Sequence, residues 1–138
     1  MELVINTDGG ARGNPGPAAV GVVFKAGEWF STYSQVLGTA TNNVAEYMAV
    51  KLALEEWPRL PESKSLEIDR VQFYLDSQLV VMQIMGKYKV KEPHLQILHR
   101  DIKELLNALR LPYAFSYVPR AQNSMADSLV NQALDAAA

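Results

Sequence analysis

The chain has 138 residues, 49% of them hydrophobic and 20% charged, a balance that suits one folded domain and argues against a disordered or low-complexity protein. It has no cysteine, which excludes disulfides, thiolate zinc sites and cysteine nucleophiles. A net charge of -2 offers no basic footprint for nucleic acid, but with the four acids described below set aside the remainder is positive, so distribution decides more than the total.

The N-terminus, MELVINTDGG, has neither a basic leader region nor a long apolar run, and no stretch has the length of a membrane span. A cytoplasmic protein with no membrane partner is the expectation. Leu3–Asp8 is predicted as the first strand. The following Gly9–Pro17, GGARGNPGP, is turn chemistry and is expected to be irregular throughout. Val20–Lys25 and Trp29–Ser34 are the second and third strands. Asn42 opens a helix running to about Trp57, where Pro58 stops it. Helical spacing puts Glu46, Val50, Ala53 and Trp57 on its apolar side, with Asn43, Tyr47, Lys51 and Glu55 on the wet side.

Val71–Leu75 reads as a central strand, and Ser77–Met85 as a helix ending at Gly86. After the segment KYKVKE, Pro93–Leu109 carries Leu95, Leu98, Ile102, Leu105, Leu106 and Leu109 on one stripe. Tyr113–Val118 is the last strand. Ser124 is expected to cap a final helix whose stripe is Leu129, Val130, Ala133, Leu134 and Ala137. The order βββαβααβα, antiparallel first and crossover-linked later, predicts an α/β domain over residues 1–138 with a mixed sheet flanked by helices.

Four acids stand out: Asp8 at a strand end, Glu46 among apolar residues, Asp76 closing a strand and Asp127 opening the last helix. Asp8 has the ordinary reading of an Asp-Gly turn, Asp76 that of a helix cap, and Asp127 that of a capping box with Ser124. Glu46 has no such alternative, because a buried carboxylate needs compensation. Clustered carboxylates suit paired hard cations, which activate water and stabilise a leaving oxygen in phosphoryl transfer.

The segments DGGARGNPGPAAVG, TNNVAEYMAV, YLDSQLVV and YVPRAQNSMADSL, in this order, resemble the type 1 ribonuclease H family over essentially the whole chain. That resemblance implies the ribonuclease H-like fold with a five-stranded mixed sheet, and a monomer. It implies cleavage of the RNA strand of RNA–DNA hybrids by two Mg²⁺ ions, with Mn²⁺ as a substitute, leaving 5′-phosphate and 3′-hydroxyl ends. Asp8, Glu46, Asp76 and Asp127 would be the catalytic metal ligands.

The resemblance also assigns substrate contacts to Asn14, Thr41, Asn42, Asn43 and Gln78, with Asn14, Thr41 and Asn42 in a pocket for a DNA phosphate. Short amides both donate and accept, as reading RNA 2′-hydroxyls requires. The ordinary readings are a turn for Asn14 and helix caps for Thr41 or Asn42. The glycine loop lacks the GK[ST] of a phosphate-binding P-loop and precedes no helix, so it is not read as one.

Two features depart from the larger relatives. No histidine lies in the loop just before Asp127; Arg120 occupies that short loop, as in a histidine-lacking branch of the family in which duplex RNA is a further suspected substrate. Arginine cannot act as an ordinary base, so Arg120 is read as a catalytic auxiliary that binds phosphate or assists product departure. His94 and His99 are expected at the surface of the long helix. The basic protrusion of larger relatives is reduced here to Lys87, Lys89 and Lys91 around Tyr88, read as a reduced grip on substrate or as a solvated connector. A DNA-cutting integrase or resolvase is the competing enzyme reading, disfavoured by GNPGP and TNN. A non-catalytic binding module is disfavoured by the presence of all four acids.

Overall fold

A computed structural model describes residues 1–138. Five strands form one mixed sheet in the order β3-β2-β1-β4-β5. β1 (Glu2–Ala11), β2 (Gly16–Ala26) and β3 (Trp29–Ala40) pair antiparallel in sequence. β4 (Arg70–Leu75) then runs parallel to β1, and β5 (Tyr113–Tyr117) parallel to β4. The helices are α1 (Asn42–Glu56), α2 (Glu62–Ser65), α3 (Gln78–Ile84), α4 (Pro93–Leu109) and α5 (Ser124–Ala137). The expected mixed five-stranded sheet is present, and the predicted order needs only the one-turn α2 added. None of the helices is long and apolar enough to cross a membrane.

The main core lies between the sheet and the helices α1, α3 and α4. Leu3, Ile5, Phe24, Phe73 and Leu75 from the strands meet Val50, Ile84, Ile102 and Leu106 from the helices. Phe73 and Phe115 stack across β4 and β5 with ring centroids 4.3 Å apart. Each fully buried side chain of this size contributes about 1.5–3 kcal/mol. A smaller cluster of Ala19, Val130 and Leu134 seats α5 on the other face of the sheet.

Five local expectations are corrected. The loop predicted at Gly9–Pro17 shrinks to Arg12–Pro15, because Gly9, Gly10 and Ala11 continue β1 opposite Val20, Ala19 and Ala18. β3 likewise runs on past Ser34 to Ala40, paired along β2 with a register shift at Ala18 and Ala19. Tyr47 is not on a wet face but fully buried. Its helix α1 contacts the sheet on one side and α4 on another, so both faces are covered. Burial pushes the Tyr47 hydroxyl up to about 12, and it stays protonated to donate to Gln83 Oε1 at 2.6 Å. Nor does Ser124 cap α5. A 3-10 turn over Arg120–Asn123 leads into it, and no side chain caps the helix. Of the two histidines, His94 is exposed as expected, whereas His99 is half-buried with Nε2 2.9 Å from the Gln83 carbonyl oxygen.

Candidate active site

The carboxylates converge because backbone elements approach one another at two glycines. Register pairs Thr7 of β1 with Leu75 of β4, so Asp8 and Asp76 emerge side by side where β4 ends. Ser77, rather than Asp76, caps α3 by accepting from Val80 N–H, which leaves the Asp76 carboxylate free of that role. At Gly9, a Cβ would stand 2.1 Å from the Ala45 carbonyl oxygen, so only glycine lets α1 lie this close to β1. That contact sets Glu46 over Asp8, and the Gly9 N–H donates to Glu46 Oε1 at 3.4 Å. Gly21 is the β2 partner of Asp8, and a Cβ there would stand 2.3 Å from the Ala126 carbonyl oxygen. The first turn of α5, carrying Asp127, therefore presses on the sheet beside Asp8.

Oxygens of Asp8, Glu46 and Asp76 lie within 4.8 Å of one another. Asp127 stands outside that tight trio but lines the same cleft, of about 500 Å³. Burial first, then the charges of Asp76 and Asp127, lifts the Asp8 carboxyl from 3.8 to about 7, against a lowering hydrogen bond from Glu46. Burial, then the charges of Asp8 and Asp76, lifts Glu46 well above the usual glutamate range. No lysine or arginine forms an ion pair with any of the four. Crowded, oxygen-only and without a cation of its own, this donor set fits a hard divalent ion.

Asn42, Asn43 and Arg120 line the same cleft. Arg120 forms no ion pair with any acid of the chain. Asn14 and Thr41 line an adjoining groove that shares Asn42 and Asn43. Here the amides also build the scaffold: Asn14 Oδ1 accepts from Asn42 N–H at 3.0 Å, and Asn42 Oδ1 from Ala11 N–H at 2.9 Å. Thr41 caps α1 by accepting from Val44 N–H. Glu92 in that groove is committed to capping α4 through His94 and Leu95 N–H. Gln78 is exposed at the first position of α3 and lines neither space. Lys87 and Lys89 line a separate groove with Tyr88 and His99.

Sequence reasoning missed Asn123, which is 2% exposed. Its Nδ2 donates to the Thr7 carbonyl at 2.9 Å and to Asp76 Oδ2 at 3.4 Å, while its Oδ1 accepts from Asn6. It locks the entry of α5 to β1 and orients Asp76. Its neighbours are polar, and nothing in its local pattern distinguishes it from a loop residue. Arg12 on the cleft rim was missed too.

Residues 6–133 match the family model described as reverse transcriptase-like. The chain is 41% identical over 145 residues to the bifunctional protein Rv2228c of Mycobacterium tuberculosis, covering all of this chain and 37% of that protein. It is 39% identical to ribonuclease HI of Halobacterium salinarum, over 93% of this chain and 62% of the relative. The chain thus spans roughly a third to two thirds of the curated relatives. The crystal structure of LC11-RNase H1 in complex with RNA/DNA hybrid superposes with a TM-score of 0.90 at 41% identity, over 98% of both chains. By these matches in sequence and in fold, the chain belongs to the reverse transcriptase-like family, in its type 1 ribonuclease H branch.

Proposed function

We propose that this chain hydrolyses the RNA strand of RNA–DNA hybrids, leaving 5′-phosphate and 3′-hydroxyl ends. The carrying observation is the trio Asp8, Glu46 and Asp76, with carboxylate oxygens within 4.8 Å, in a cleft that Asn42 and Asn43 also line. The reading is supported by the ribonuclease HI relative and by the hybrid held by LC11-RNase H1.

Asp8, Glu46, Asp76 and Asp127 would hold two Mg²⁺ ions, with Mn²⁺ as the substitute. Bound there, the ions supply Lewis acidity at the scissile phosphate. The chain's own residues do the rest. Asn123 fixes Asp76 in place, and Gly9 N–H does the same for Glu46. Asn42 and Asn43 present amides to the groove of the hybrid, where 2′-hydroxyls distinguish RNA from DNA. Asn14 and Thr41 with Asn42 form the groove for a phosphate of the DNA strand. Arg120, unpaired and in the cleft, meets the phosphate left after cleavage and assists its departure. Lys87 and Lys89 lie away from the cleft and attract the backbone at longer range. Gln78, exposed at the start of α3, would contact the nucleic acid outside these two spaces.

The test is a substrate panel: end-labelled RNA–DNA hybrid, duplex DNA and duplex RNA, each with and without Mg²⁺. Mg²⁺-dependent cutting of hybrid RNA, with duplex DNA intact, is the expected result. Cutting of duplex DNA in preference to hybrid overturns the reading. The duplex RNA lane decides whether that substrate is shared, and gel filtration tests the expected monomer.

A further inference from the structure

We propose that Arg12 binds a backbone phosphate of the nucleic acid flanking the scissile one, and that Asp135 holds the arginine in position for it. The inference rests on the function proposed above. Arg12 lies in the turn between β1 and β2, on the rim of the acidic cleft, where it and Arg120 are the only cationic side chains.

Unlike Arg120, Arg12 is anchored. Its Nη2 lies 2.6 Å from Asp135 Oδ1 and donates to the main-chain and side-chain oxygens of Asn131, both at 3.4 Å. Asp127, Asn131 and Asp135 follow one another at intervals of four, so they form one row along α5. The guanidinium therefore stands one to two turns, roughly 6–12 Å, along that row from Asp127. That is beside the acidic site and not on it, and Arg12 forms no ion pair with Asp127.

All of these contacts use one nitrogen. Nη1 and Nε have no partner and the side chain is 45% exposed, so the rest of the guanidinium fork is open to the oxygens of a phosphate. A tie between exposed charges adds little to stability. It does remove rotamer freedom that an unanchored arginine would lose on binding, which is the use the geometry points to.

The test is equilibrium binding of a fluorescent RNA–DNA hybrid across a range of salt, in EDTA and on the Asp8→Asn chain so that no cleavage intervenes. Arg12→Ala is expected to weaken binding about fivefold to tenfold and to lower the log Kd against log salt slope by about one, the mark of one lost phosphate contact. Arg12→Lys retains the slope and part of the affinity. Asp135→Asn retains the slope with a smaller loss of affinity, about twofold to threefold, because the arginine is present but no longer held. Melting temperatures should stay within about 2 °C of the parent. An unchanged slope in Arg12→Ala, or an affinity loss that tracks a fallen melting temperature, overturns the proposal. Failure of the Asp8→Asn parent to bind hybrid at all instead overturns the function on which it rests.

Discussion

The main-chain N–H of Gly9 hydrogen-bonds Glu46 Oε1 at 3.4 Å, across a contact that leaves no room for a side chain on residue 9. An added Cβ would meet Ala45 O at 2.1 Å and Glu46 N at 2.6 Å, both backbone atoms that cannot swing aside. Gly9→Ala must therefore push α1 off β1 and carry Glu46 away from Asp8. Overpacking of this kind costs about 3 kcal/mol or more. Urea unfolding should show that loss, and hybrid cleavage should fall well beyond it under conditions where the variant is still folded. Wild-type stability in Gly9→Ala would show that α1 does not press on β1 at this position.

A second prediction concerns pH in the absence of metal. The folded state raises Asp8 from 3.8 to about 7 and Glu46 well above its usual range. Both acids therefore hold protons that the unfolded chain releases, and their stabilising contribution is lost as pH rises from about 4 through 7. Thermal melting in EDTA should show the wild type losing stability over this window relative to an Asp8→Asn/Glu46→Gln variant. At pH 8 that variant should melt higher than the metal-free wild type. Mg²⁺ should raise the wild-type melting temperature at pH 8 and leave the variant's unchanged. A metal-free wild type that gains stability against the variant between pH 5 and 8 would reverse the assignment.

Removing Asn123 should cost both stability and activity. Asn123→Ala strips a donor from the Thr7 carbonyl and from Asp76, and an acceptor from Asn6. Leaving buried partners unsatisfied costs about 1–3 kcal/mol. Denaturant titration measures the first effect. The second is a lower kcat for hybrid cleavage at saturating Mg²⁺, because Asp76 is no longer held. Loss of stability with kcat intact would leave Asn123 a purely structural residue.

Local pattern carried the strand positions, the main helices and the odd placement of Glu46, because each rests on alternation, helical spacing or a capping residue within a few positions. What escaped depends on partners distant in the chain. Gly9–Ala11 look like loop until β2 supplies their pairing. Tyr47 takes the polar side of an isolated α1, yet is buried once α4 covers that side. Ser124 looks like a cap, while Asn123 beside it is drawn to Thr7 near the other end of the chain. Arg12 and Asp135 belong to opposite termini, so no sequence window contains their pair.

Arg120 is the position where activity and stability should separate most cleanly. It has no ion pair to lose and lines the cleft. Arg120→Ala should leave the unfolding free energy within about 0.5 kcal/mol. Turnover of hybrid should nevertheless fall about tenfold, the share of one charge-assisted phosphate contact. Arg120→Lys should recover part of it. Stopped-time assays on purified protein, with unfolding curves on the same samples, read both quantities.

The Asp8–Glu46–Asp76 cluster is proposed to hold the cations that cut hybrid RNA. Its most direct test is hybrid-RNA cleavage by wild type and Asp8→Asn, side by side, over a Mg²⁺ titration ending in excess EDTA. Wild-type cleavage should rise with Mg²⁺ and vanish in EDTA, and Asp8→Asn should be slower by on the order of 10³-fold or more at every concentration. Cleavage that persists in EDTA, or an Asp8→Asn rate close to wild type, would contradict it.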